Sequence, residues 1–258
     1  RNAAGGYGQG ALLPRGQSWR DQPERLIGLQ NADPSSVHLP LWGSFSKGGR
    51  GEELAPHGDL LEHGAIGLAD DDAVVPLPLL ERGLLLGEMG SCPVLIAPRD
   101  PVLQGDGVAR EGVEALRAGW VPDPLISELQ PVQQLLALQQ RHPERQLRLM
   151  NLSTAAAVDL LGQADHQLKA SVCWWHLLVD GSILSSTDPG CRVRPSLGGA
   201  SDRLSLRSAL QSGLIQAVAV HAVPLDEEDM LLPADQRPPG LSGHHLELPA
   251  LRSALVDQ

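Results

Sequence analysis

The residues of this chain that could do chemistry stand at the ends of apolar runs. Asp70, Asp71 and Asp72 follow Ala65–Ala69 and could give carboxylates to a metal ion; a run of acids is also how a solvated loop reads. His221 follows Ala217–Val220, at a strand end, where barrel enzymes carry their catalytic groups. Arg15, Arg99 and Arg194 are cations that could hold an anionic metabolite. His244-His245 is the only adjacent histidine pair, and its turn-like setting argues for exposure rather than function. Cys173 beside Trp174 reads as a reactive thiol or, more commonly, as a small buried hydrophobe. Trp42, Trp120, Trp174 and Trp175 could stack on a ligand, but core and loop packing is the favoured reading.

The elements that must position these residues alternate. Strand-like runs fall at Gln9–Leu13, Val37–Trp42, Ala65–Ala69, Pro93–Ala97, Gln146–Leu152, Lys169–Trp174 and Ala217–Val220. Several are apolar throughout, as strands buried on both faces of a parallel sheet are. Helix-like stretches lie between them at Asp21–Leu29, Glu52–Glu62, Leu77–Met89, Ile126–Gln140, Ala155–Gln163 and Asp202–Gln211. Ser153-Thr154 offers a cap to one of these helices. Seven β–α alternations predict an α/β fold, either an open doubly wound sheet or a (β/α)8 barrel. No GxGxxG follows the first strand, and no GxxxxGK followed by Ser or Thr occurs, so a nucleotide-binding sheet has little support. The stretch Ala97–Asp123 reads as a long loop over the C-terminal ends of the strands, where barrel active sites sit.

Composition narrows the classes. The 258 residues carry 20 Lys+Arg against 31 Asp+Glu, a net charge of −11, which disfavours nucleic acid and anionic membrane as partners. Aromatic residues make up only 3%, so the core must be built from Leu, Val and Ala. The three cysteines, Cys92, Cys173 and Cys191, lack metal-like spacing, which argues against a disulfide scaffold or a zinc ribbon and for a reducing cytoplasm. No apolar run approaches the ~18–20 residues of a membrane span.

Six motifs, in order, carry a resemblance. Ala3-Ala4-Gly5-Gly6-Tyr7 with Leu13-Pro14 resembles an AAxGGF…MPNT segment, and Ser46-Lys47-Gly48-Gly49-Arg50-Gly51-Glu52-Glu53-Leu54 resembles TKGxxGEEL. Gly64–Asp71 resembles GAVAFSDDG, Gly105–Gly112 resembles GGGVMNEG, Asn151-Leu152-Ser153-Thr154-Ala155 resembles HVSTA, and Pro239-Gly240-Leu241-Ser242-Gly243 resembles PFGIxGLE. These are motifs of bacterial dihydroorotases, cyclic amidohydrolases of the metal-dependent (β/α)8 superfamily. The resemblance implies one TIM-type barrel domain over residues 1–258, without the first strand and the small β domain, and truncated at both ends. It also implies interconversion of carbamoyl-aspartate and dihydroorotate in pyrimidine biosynthesis, with zinc activating a water and polarising the ring carbonyl.

Carried over residue by residue, the resemblance also shows what is missing. The substrate Asn of MPNT falls on Arg15, and that of VNPPL on Arg194. The SDDG carboxylate survives as Asp70 or Asp71, the remnant metal position. The ligand His of VHCED falls on Ala97 and that of HVST on Asn151. The catalytic Asp of TDHAP falls on His221, and the neighbouring His on Ala222. His176 matches the second His of a TPHHL-like turn, where a structural hydrogen bond is expected, and Arg110 and Glu111 occupy the NEG-type loop. A methyl and an amide cannot replace two imidazoles. The expectation is therefore a cytoplasmic pseudoenzyme of the family that binds no zinc. It would serve as a scaffold for aspartate transcarbamoylase or form a homo-oligomer. The alternatives are an active cyclic amidohydrolase rearranged around Asp70, His176 and His221, and an anion-binding module.

Overall fold

A computed structural model describes residues 6–15, 18–26, 38–71, 73–164, 168–185, 192–232, 236–241, 243 and 245–256. Its strands are β1 (Leu41–Ser44), β2 (Ala65–Ala69), β3 (Pro93–Ile96), β4 (Ala109–Arg110), β5 (Pro122–Asp123), β6 (Gln146–Leu149), β7 (Lys169–Cys173) and β8 (Ala217–Ala219). Six of them form one parallel sheet in the order β1-β2-β3-β6-β7-β8. The helices are α1 (His57–Glu62), α2 (Leu77–Leu86), α3 (Pro101–Gln104), α4 (Val113–Ala118), α5 (Ile126–Arg141), α6 (Ala155–Gln163), α7 (Trp174–Leu178), α8 (Ala200–Gln211), α9 (Glu227–Leu231) and α10 (Glu247–Leu255). Parallel neighbours need a crossover between them, and α1, α2, α5, α6 and α8 supply it. The arrangement is that of a partial (β/α)8 barrel.

Leucine, valine and alanine fill the space between sheet and helices, with Leu60, Leu68, Leu80, Val94, Leu152 and Val172 fully buried. Phe45 is the one large aromatic ring at the centre of this cluster. It fits because Gly83 of α2 has no side chain: a Cβ there would lie 2.5 Å from the Phe45 ring.

Several expectations shift. Gln9–Leu13 is not a continuous strand but makes two isolated parallel bridges, Gln9 to His38 and Leu12 to Leu41. The next strand begins at Leu41 rather than Val37, and Val37 lies outside the described residues. The helix expected from Glu52 begins only at His57, after Pro56. A single helical turn over 24–26 stands within the expected Asp21–Leu29 helix, whose last residues lie outside the described ones.

The largest correction is at Ala97–Asp123, which is not a bare loop. It folds as a small unit of its own, with β4 paired in parallel to β5 around α4. A separate cluster of Ala109, Ala115, Ala118 and Trp120 holds it together. Asp100 starts the unit by capping α3, its carboxylate accepting from the Val102 and Leu103 amides at 2.8 and 3.1 Å. The unit stands over the C-terminal ends of β3 and β6 and contributes to the site described next.

Candidate functional site

The C-terminal ends of β3, β6 and β8 and the arginine of β4 surround a small cavity of about 20 Å³. Such a volume has room for roughly one water. The chain leaves β6 at Asn151 and β8 at His221, and both take left-handed backbone conformations, φ 56° and 42°. Such angles are uncommon outside glycine, and asparagine and histidine adopt them more often than most residues. They bend the chain so that both residues line the cavity, opposite Ala97 of the β3 end.

Arginines dominate the walls. Arg99, Arg110 and Arg194 all line the cavity. Arg110 is buried in a network. One of its terminal nitrogens donates to the Pro124 carbonyl and to Ser127 Oγ, each at 3.1 Å, and lies 3.3 Å from Asp123 Oδ1. The other donates to Ser153 Oγ at 3.0 Å and lies 3.5 Å from Glu128 Oε2. Glu128 in turn accepts from the Ser153 amide at 2.7 Å and the Ser153 hydroxyl at 2.8 Å. Burial pushes the Glu128 carboxyl up, and the Arg110 charge opposes that shift. Arg99 donates to the Gln104 side chain, which donates to the Gly107 carbonyl at 2.9 Å.

The sequence-selected carboxylates lie elsewhere. Asp70 is buried and ties β2 to the end of β1. Its Oδ1 accepts from the Phe45 and Ser46 amides at 3.1 and 3.0 Å and from Ser44 Oγ at 3.2 Å, and its Oδ2 from Ser46 Oγ at 2.6 Å. Burial raises its carboxyl above the ordinary range while these donors pull it back. Asp71 pairs with Arg15 at 2.5 Å at the surface, so these two candidates meet each other. Asp72 lies outside the described residues.

His176 is fully enclosed by the fold, with its Nε2 3.0 Å from the Pro195 carbonyl, the structural contact expected of it. Burial first, and then the charges of Arg110 and His221, set its imidazole down to about 4, against the upward pull of backbone hydrogen bonds at Pro195 and Ser196. Cys173 is buried and its thiol is pushed up to about 12 by desolvation, so it is not poised as a nucleophile. Trp42, Trp120 and Trp174 are buried, and Trp174 meets Trp175 edge-on at 5.4 Å. His245 is exposed, and His244 lies outside the described residues.

These donors do not fit the zinc that the resemblance implies. Ala97 has no lone pair, Asn151 offers an amide, and Asp70 is spent on four hydrogen bonds. Among the described residues no group of three or more His, Cys, Asp or Glu is placed to share an ion. Three guanidiniums at the same spot add charge of the wrong sign.

Sequence reasoning passes over Asp123 and Glu128. A signal for Glu128 is present: it lies four and seven residues before Val132 and Leu135, on the buried stripe of α5. An acid on such a stripe needs a buried cation, and Arg110 is it.

Comparison with known proteins places this geometry. No family model matches the chain. A probable dihydroorotase-like protein of Synechocystis sp. is 33% identical over 289 residues, covering 99% of this chain and 65% of that protein. The dihydroorotase of Pelotomaculum thermopropionicum is 28% identical over 250 residues, covering 93% of this chain and 57% of that protein. The chain thus spans less than two thirds of these relatives' length. Among solved structures, an L-hydantoinase from Arthrobacter aurescens superimposes with a TM-score of 0.79 at 17% identity, over 97% of this chain and 59% of that one. The dihydroorotase of Saccharomyces cerevisiae, in complex with 5-fluoroorotic acid, superimposes with a TM-score of 0.72 at 14% identity, over 99% of this chain and 72% of that one. The structural likenesses establish the (β/α)8 barrel fold. Among the described residues no helix is long and apolar enough to cross a membrane.

Proposed function

We propose that the chain is a member of the dihydroorotase family that keeps the barrel and has given up the metal-dependent ring chemistry. One observation carries this reading: the cavity at the strand ends is lined by three arginines, with Ala97 and Asn151 where family imidazoles would stand. A divalent ion there would need neutral imidazoles and carboxylates converging on one point. It would meet a methyl, an amide and positive charge instead. With no hydroxide made at this point, ring opening of dihydroorotate lacks its nucleophile, and with nothing to polarise the carboxylate of carbamoyl-aspartate, attack by its ureido nitrogen lacks an activated electrophile. The role that fits is non-catalytic, as a scaffold for aspartate transcarbamoylase in pyrimidine biosynthesis, in the cytoplasm.

The test is metal content matched to turnover in the protein at its natural length. Bound zinc is quantified, and carbamoyl-aspartate cyclisation is followed with and without added zinc. The expected result is near-zero metal, no turnover, and co-purification with aspartate transcarbamoylase. One or more zinc per chain, with turnover abolished by His221→Ala, overturns the reading and means that the chemistry has been rebuilt around new ligands.

A further inference from the structure

We propose that a second, larger cleft beside the strand ends binds a small organic anion, a phosphate or carboxylate carried on an apolar body. The cleft has a volume of about 520 Å³, within the range of roughly 300–1,000 Å³ typical of small-molecule sites. One wall is the β4–β5 unit: the 105–107 turn after α3 and the segment Ala118–Val121 after α4. Arg192 and Arg194 also line the cleft.

Charge argues for an anion. The chain as a whole is strongly acidic, at −11, yet this cleft holds two guanidiniums. Asp106 is the one carboxylate among the described lining residues. A cleft with low-dielectric walls concentrates the field of such a pair. Arginine also presents a planar fork that matches the oxygens of phosphate and carboxylate. Arg192 is held in place from behind, one terminal nitrogen donating to the Arg237 carbonyl.

The backbone supports side-chain recognition. Gly105 and Gly119 turn with left-handed φ of 55° and 71°, and a Cβ at either would meet nothing within 4 Å, so both turns leave space. The amides of Gly105, Gly107 and Gly119 are used inside their own turns, on the carbonyls of Pro101, Gln104 and Leu116. An anion in this cleft is therefore read by the arginines and not by a nest of backbone amides. Val108, Trp120 and Val121 provide apolar wall for the remainder of the ligand.

The inference is independent of zinc, because it is read as binding in the absence of metal and turnover. The experiment is isothermal titration of the protein with phenyl phosphate, with benzoate, and with benzyl alcohol as the neutral counterpart. Arg194 and Asp106 are both exposed, so Arg194→Gln and Asp106→Asn leave the fold intact, which circular dichroism checks. One-to-one binding of at least one anion is expected, with none for benzyl alcohol, and the tighter anion identifies the headgroup. Arg194→Gln should weaken that binding by about tenfold through loss of a charge-assisted contact. Asp106→Asn should tighten it by ~3-fold through removal of the opposing carboxylate. No saturable binding of either anion, equal binding of the neutral probe, or affinities unchanged by both substitutions would overturn the proposal. None of these results alters the zinc measurement.

Discussion

A buried ionisable group has to be accounted for by its neighbours, and this chain spends most of its buried groups on structure. Asp70 accepts four hydrogen bonds from Ser44, Phe45 and Ser46, which fixes where β1 ends. His176 is likewise spent on structure, as a neutral ring. Its folded value near 4 lies below the ordinary 6.5, so between these limits the unfolded chain binds the proton and the folded chain does not. Stability from the neutral ring is therefore complete above pH 6.5 and drains away as pH falls toward 4. Its full size is on the order of 3 kcal/mol, since each tenfold change in proton affinity is worth about 1.4 kcal/mol. Asp70 and Glu128, raised by burial, act in the other direction and lose stability as pH rises through their folded values. The clean measurement is thus a difference: urea unfolding of the natural protein minus His176→Gln across pH 4 to 7. That difference should shrink as pH falls, and a flat line would mean the imidazole takes up its proton equally readily in the folded and the unfolded chain. Asp70 and His176 are visible in sequence as candidate polar groups. Their partners are not, because Ser44 and Ser46 lie 24–26 residues from Asp70, and Pro195 lies 19 from His176.

Between elements, Arg110 is the tie. It leaves β4, reaches Asp123 on β5, and meets Glu128 on α5 and Ser153 before α6. One buried cation thereby fastens the β4–β5 unit to the barrel proper. Removing it strands two acids without their counter-charge. Arg110→Met should cost about 3–5 kcal/mol, read as a lowered urea midpoint. Replacing Asp123, Glu128 and Arg110 together with apolar residues of similar size should recover much of that loss, because the cost comes from unpaired charge rather than lost attraction. Failure of the triple variant to recover stability would show that the network has a further role. The legibility of the elements follows the same physics. Helix α6 spans 155–163 as read from sequence, since Thr154 caps it by accepting from the Ala157 amide at 3.2 Å. The β4–β5 unit escapes a sequence reading because strands of two residues carry no periodicity. Gln9–Leu13 reads as a full strand because a short, largely apolar run is what a buried strand looks like, while only Gln9 and Leu12 find bridge partners.

For the molecule as a whole, the sheet leaves open edges among the described residues. One lies along β8, with Ala217 exposed at its start, and the other along the bridged segment at Gln9 and Leu12. Unpaired strand edges are templates for a second chain. A charge of −11 on every copy opposes that contact. Screening length falls from about 10 Å at 0.1 M salt to about 3 Å at 1 M, so added salt removes the repulsion while leaving backbone pairing in place. This 258-residue chain should therefore associate as its concentration rises, and associate more strongly as salt is added. Light scattering during size-exclusion chromatography reads both trends. Ala217→Lys places a charge on the β8 edge and should shift the population back toward monomer at every salt level. Association that weakens with salt would assign the contact to ion pairs instead. A monomer at all concentrations would mean that both edges are already covered in this chain.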